Sequence, residues 1–182
     1  MNYYEHFIET IDKVVFQEEV GLYNCIEALV PIFINCKQNK HTLFFIGNGG
    51  SAGIAVHMTS DFLKNGKMKT HSMHDPAIVT CLANDYGYEF VFSKQIELVA
   101  EKGDLLIAIS SSGESLNILN AAQSARKKEC KIVTFSGFSP DNKLRQLGDF
   151  NVYVPSMEYG VVESIHNLIL QYVVDTCIEC YK

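Results

Sequence analysis

The stretch Leu43-Phe44-Phe45-Ile46-Gly47-Asn48-Gly49-Gly50-Ser51-Ala52 decides the fold. Four apolar residues in a row read as a buried strand, and a helical pattern, Ala52–Lys64, follows the glycines. A glycine-rich turn between strand and helix lets backbone N–H groups approach an anion at the helix N-terminus. The segment fits G-x-G-x-x-A, a variant of the dinucleotide fingerprint. That fingerprint wants an acidic residue about 20 positions on to hold a ribose, and here the region is Lys67-Met68-Lys69-Thr70-His71, which is basic. No G-K-[ST] follows, so the turn is not a P-loop either.

Working outward, the period alternates. Residues up to Lys40 read as helical, with Phe7, Ile11, Val14 and Val15, then Ile26, Leu29, Val30 and Phe33, recurring at three and four. Thr42–Ile46 is a strand and Lys69–Met73 a short one. Asp75-Pro76 reads as an N-cap with proline at the first helical position, opening a helix with Ile78, Cys81 and Leu82 inward. Val91–Ala100 is a helix, Asp104–Ile109 a buried strand and Ser115–Lys128 a helix. Lys131–Phe135 is a strand, Pro140–Leu147 a short helix, Phe150–Val154 a strand, and Val161–Cys180 a closing helix. This cadence predicts an α/β fold, a mostly parallel sheet covered on both faces, in a single domain. Ligands in such sheets sit at the carboxyl ends of strands.

A second loop falls at such an end. Ser110-Ser111-Ser112-Gly113-Glu114-Ser115 follows a buried strand and opens a helix. Hydroxyls and the free N–H groups of a helix N-terminus make a phosphate cradle without lysine. Simple capping by Ser112 or Ser115 is the other reading of this loop alone. Paired with the glycine loop at another strand end, a phosphate site is favoured.

Composition sets the class. The chain has 182 residues, 47% hydrophobic and 20% charged, which suits one soluble domain. A net charge of −6 argues against direct nucleic-acid binding. Lys64, Lys67 and Lys69 are bunched and suit one small anionic ligand. The six cysteines lie mostly inside apolar segments and read as reduced packing residues, Cys177 and Cys180 included. Met1-Asn2-Tyr3-Tyr4-Glu5-His6 lacks the features of a secretory signal, and no apolar run approaches the ~18 residues of a membrane span. A cytoplasmic protein is the expectation.

The motifs "GNGGSA", "ANDYGYE", "GDLLIAISSSGES" and "KIVTFSG" together resemble a sugar isomerase (SIS) domain, specifically the phosphoheptose isomerase group, over nearly the whole chain. The resemblance implies a three-layer αβα sandwich, flavodoxin-like, with a five-stranded parallel sheet over 41–182, preceded by N-terminal helices over 1–40. It implies a homotetramer with shared active sites. The implied reaction converts sedoheptulose 7-phosphate to glycero-manno-heptose 7-phosphate for lipopolysaccharide or capsule synthesis. A divergent branch of the family serves instead as a noncatalytic adaptor for a replication initiator. Carried over residue by residue, the resemblance implies that Ser51, Ser110, Ser112 and Ser115 hold the phosphate, beside Ser111 and the backbone of Gly49 and Gly50. Asn48 and Asp85 are implied to contact the sugar hydroxyls. The family's zinc and catalytic positions fall at His57, Asp61, Glu163 and Gln171.

At those positions the sequence departs from the family. Glutamate is expected where Asp61 stands, glutamine at Glu163 and histidine at Gln171; only His57 is unchanged. Local geometry still permits a site. His57 and Asp61 are four apart on one helix and share a face; Glu163 and His166 are three apart on another. Gln171, eight past Glu163, lies on the same broad side. An aldose–ketose isomerase needs a base that moves a proton between neighbouring carbons and a group that polarises the carbonyl. Asp61 or Glu163 fits the base; zinc or a protonated His166 fits the polarising role. A glutamine shuttles no protons, so His166 is the candidate replacement for the missing histidine.

Overall fold

The computed structural model describes residues 2–180. Among the described residues are seven helices and one seven-stranded sheet. In chain order these are α1 (Tyr3–Ile11), β1 (Val15–Phe16), β2 (Glu19–Val20), α2 (Leu22–Gln38), β3 (Leu43–Ile46), α3 (Gly50–Lys64), β4 (Thr70–Ser72), α4 (Pro76–Tyr86), α5 (Ser93–Val99), β5 (Leu105–Ser110), α6 (Leu116–Lys127), β6 (Lys131–Ser136), β7 (Phe150–Tyr153) and α7 (Tyr159–Glu179). The strand order is β2-β1-β7-β6-β5-β3-β4. The five strands from β7 to β4 are parallel; β1 is antiparallel to β7 and to β2.

The five parallel strands are the expected ones. The added hairpin corrects the reading of residues 1–40 as wholly helical. Gln17 carries φ 55° and opens the turn between β1 and β2. Two-residue strands are too short to show a period in the sequence. Pro140–Leu147 is also corrected, to a single 3-10 turn at Leu144–Gln146.

Every residue of β3 and β5 is buried, which is why these segments read as unbroken apolar runs. Their side chains alternate between two cores. Leu43, Phe45, Leu105, Ile107, Ile109, Val133 and Phe135 pack with α2, α3 and α7. Phe44, Ile46, Leu106, Ala108 and Ile132 pack with α5 and α6 on the other face. At the lower edge the carboxylate of Asp104 accepts from the backbone N–H of Thr42 at 2.7 Å and of Glu101 at 2.9 Å, tying β3 to β5.

Helix α4 begins as the sequence predicts. Asp75 is its N-cap, accepting from the N–H of Ala77 and Ile78, with Pro76 next. Its inward face differs from expectation. No residue of α4 is buried, Ile78 and Cys81 are exposed, and Leu82 is half-buried with Val79 and Ala83 against the α5–α6 core. All six cysteines are free thiols, four of them buried.

Candidate active site

The glycine loop and the serine loop both leave the carboxyl ends of neighbouring parallel strands, β3 and β5, and face one cavity of about 380 Å³. Asn48, Gly49, Gly50, Ser51, Ile109, Ser110, Ser111, Ser112, Ser115, Tyr159 and Glu163 line it. Eight of the nine residues expected to bind substrate are therefore together. Asp85 is the exception. It sits exposed on α4, where it accepts from Cys81 Sγ and Asn84 Nδ2, and it does not line the cavity. Lys64, Lys67 and Lys69 do not line it either.

Each loop is shaped for an anion. Gly49 has φ 55° and precedes the first turn of α3, a conformation that side chains rarely adopt. A Cβ at Gly50 would collide with the carboxylate of Glu163, so this glycine admits α7 against the start of α3. In the serine loop, Ser115 is the N-cap residue of α6 but makes no side-chain cap bond; its hydroxyl lies 3.4 Å from that of Ser110. Ser110 accepts from the Gly113 N–H and Ser112 from the Glu114 N–H. The Ser111 hydroxyl is buried without a partner. An unpaired buried hydroxyl costs roughly 1–3 kcal/mol.

Glu163 is the one carboxylate among the lining residues. Burial raises its pKa above the ordinary glutamate value. Among the described residues no lysine or arginine lines the cavity, so the positive ends of α3 and α6 supply the field for an anion.

Of the positions expected to hold zinc, Glu163 stands apart from His57 and Asp61 within one chain. His57 Nε2 and Asp61 Oδ2 lie 3.4 Å apart on α3, as their spacing predicts. Glu163, however, sits against Gly50, seven residues and about 10 Å up the same helix. Gln171 is half-buried on α7, about two turns past Glu163, and does not line the cavity. Among the described residues, no three His, Cys, Asp or Glu side chains gather as metal ligands. One histidine and one carboxylate fall short of the three or four ligands a protein zinc site uses, so the donors of one chain do not fit the ion.

His166 is corrected as a catalyst. It is wholly buried, its Nε2 donates to the Ser136 carbonyl at 3.1 Å, and its ring stands edge-on to Phe135. It shares the sequence-level face of Glu163 but faces the sheet rather than the cavity.

Three contributors escaped the sequence reading. Tyr159 lines the cavity from the first turn of α7. Asn117, on α6, and Tyr88, in the 3-10 turn Tyr88–Phe90, both bond to Asn48. The signal for the last lay in the motif "ANDYGYE" itself, whose second tyrosine supplies the bond. His74 bonds through Nε2 to the Gly47 carbonyl at 3.1 Å and braces the glycine loop.

Residues 2–137 match the SIS domain family. The phosphoheptose isomerase of a Nitratiruptor species is 34% identical over 171 residues, covering 88% of this chain and 87% of the relative. That of Aliarcobacter butzleri is 36% identical over 168 residues, covering 88% and 85%. A solved phosphoheptose isomerase from Francisella tularensis superposes with a TM-score of 0.85 at 26% identity, over 97% of this chain and 95% of that one. One from Neisseria gonorrhoeae gives 0.80 at 25%, over 97% and 96%.

Proposed function

We infer the function from the premise that this chain belongs to the SIS domain family and, within it, to the phosphoheptose isomerases. It is an aldose–ketose isomerase of a phosphorylated sugar, interconverting sedoheptulose 7-phosphate and D-glycero-D-manno-heptose 7-phosphate. The observation that carries the mechanism is the meeting of both loops and Glu163 in one cavity.

The phosphate is held by the hydroxyls of Ser51, Ser110, Ser112 and Ser115 and by the N–H groups that open α3 and α6. A dianion held by dipoles and hydroxyls needs no lysine. Glu163 is the base. It takes the proton from C1 of the ketose; the C–H electron pair forms the C1–C2 double bond, and the carbonyl oxygen takes the charge. The same carboxyl returns the proton to C2, while the O1 proton passes to the C2 oxygen, which leaves an aldehyde at C1 and a hydroxyl at C2. Burial that raises the Glu163 pKa brings its basicity closer to that of a working base at neutral pH.

The working unit is a homotetramer with shared sites, in the cytoplasm, supplying heptose for surface polysaccharide. Val56 and Leu63 on α3, and Leu168 and Tyr172 on α7, are apolar and 38–54% exposed in the single chain, which supports an assembly through these helices. No helix among the described residues is long and apolar enough to cross a membrane.

Sedoheptulose 7-phosphate in heavy water tests the reading. The wild type is expected to place deuterium on the carbon next to the carbonyl and to yield aldose. Glu163→Gln should lower turnover by about 10²–10⁴-fold while inorganic phosphate still binds. Full activity in Glu163→Gln would remove Glu163 as base. Absence of both exchange and aldose in the wild type would leave a phosphosugar-binding or adaptor module without chemistry.

A further inference from the structure

The amide of Asn48 is almost fully used by its neighbours. Its Nδ2 donates to Asn117 Oδ1 at 2.8 Å, and its Oδ1 accepts from Asn117 Nδ2 at 2.9 Å. This reciprocal pair joins the glycine loop to the first turn of α6. The Tyr88 hydroxyl donates to the same Oδ1, also at 2.9 Å. A primary amide has two N–H donors and two acceptor sites. Both acceptor sites and one donor are taken, so Asn48 has one N–H left for the cavity it lines.

That polarity is set by the surroundings. Turning the Asn48 amide over alone would set NH₂ against NH₂ and oxygen against oxygen at Asn117, which is 3% exposed. In the arrangement observed, the Tyr88 hydroxyl donates, so the oxygen of Asn48 rather than its nitrogen is on that side.

We propose that Tyr88 is a positioning residue: with Asn117 it holds Asn48 so that the amide presents a hydrogen-bond donor to a sugar oxygen, the one that gains charge as the enediolate forms. The proposal rests on the isomerase reading above and adds what polarises the carbonyl. When Glu163 removes the C1 proton, the electron pair of the carbonyl moves onto its oxygen, and a donor already in place stabilises that charge without reorganising. It also gives the site a preference. A sugar with an acceptor oxygen at this point is held, and an analogue with no oxygen there leaves the N–H unpaired.

The test uses Tyr88→Phe and Asn48→Asp in the full chain, with sedoheptulose 7-phosphate and inorganic phosphate as probes. Tyr88 is an exposed side chain, so the phenylalanine variant keeps the fold and its thermal midpoint. Removing its hydroxyl should lower kcat about 3–10-fold and weaken binding of the heptose phosphate, with affinity for inorganic phosphate unchanged. Asn48→Asp, which replaces the N–H by an acceptor, should lower kcat by about 10²-fold or more. Wild-type kcat and wild-type heptose phosphate affinity in Tyr88→Phe would overturn the proposal, as would full activity in Asn48→Asp. If the wild type shows no deuterium exchange, yet Tyr88→Phe weakens heptose phosphate binding and spares inorganic phosphate, the isomerase reading fails and the orientation of Asn48 stands.

Discussion

His166 is enclosed between α7 and β6, with Nε2 bonded to the Ser136 carbonyl and Nδ1 buried without a partner. Burial pushes its pKa down to about 4, against a smaller opposing effect of the Ser136 bond. In the unfolded chain the imidazole takes its proton at the ordinary value near 6.5. Between these values the unfolded state binds more protons, so the contribution to stability is complete above about pH 6.5 and is lost as pH falls toward 4. Its full size is on the order of 3 kcal/mol. His166→Leu should therefore flatten the acid side of the stability profile. The difference in unfolding free energy between pH 7 and pH 4.5, from urea titrations, should shrink by about 2 kcal/mol. An unchanged difference would mean that this histidine does not stay neutral in the fold. Helical spacing put His166 on the side of Glu163 but did not say what lay against that side. Phe135 and the end of β6 lie there, and only tertiary packing brings them in.

At the scale of elements, α4 is held differently from the other long helices. It buries no residue, while α7 buries nine, so its stability leans on its own ends. The Asp75 cap is the largest local term, worth about 1 kcal/mol for such a residue replaced by alanine. Asp75→Ala should thus loosen α4 alone. Hydrogen exchange of its amides should quicken about fivefold, with β5 and β6 unaffected. Uniform loss of protection across the sheet would show that α4 opens only with the whole domain. The cap was legible because Asp-Pro fixes a helix start by local chemistry. The inward face was not legible: Ile78 and Cys81 keep helical spacing with Leu82, yet α4 meets the core only along Val79, Leu82 and Ala83. The β1–β2 hairpin was hidden for a related reason, since pairing of Val15 with Tyr153 is made across most of the chain.

At the scale of the whole molecule, the question is what one copy holds by itself. The His57–Asp61 pair is separated from Glu163 along α3, and a single chain lacks a zinc donor set among its described residues. If zinc belongs to the shared sites of the proposed tetramer, protein purified without chelator should carry it by elemental analysis, with well under one zinc per chain as the result that removes the metal. One zinc per chain, lost on His57→Ala, would mean that donors from a second copy complete the set. The sequence by itself determined the strand–helix cadence, the parallel sheet covered on both faces, and the two anion-binding loops at strand ends. Those features follow from side-chain period and from turn chemistry, both of which act over a few residues. Only the tertiary structure decided that Glu163 enters the cavity while His166 turns into the core and Asp85 stays outside. It also paired Tyr88 and Asn117 with Asn48. A helix fixes which residues share a face, but the packing of separate elements fixes what that face meets.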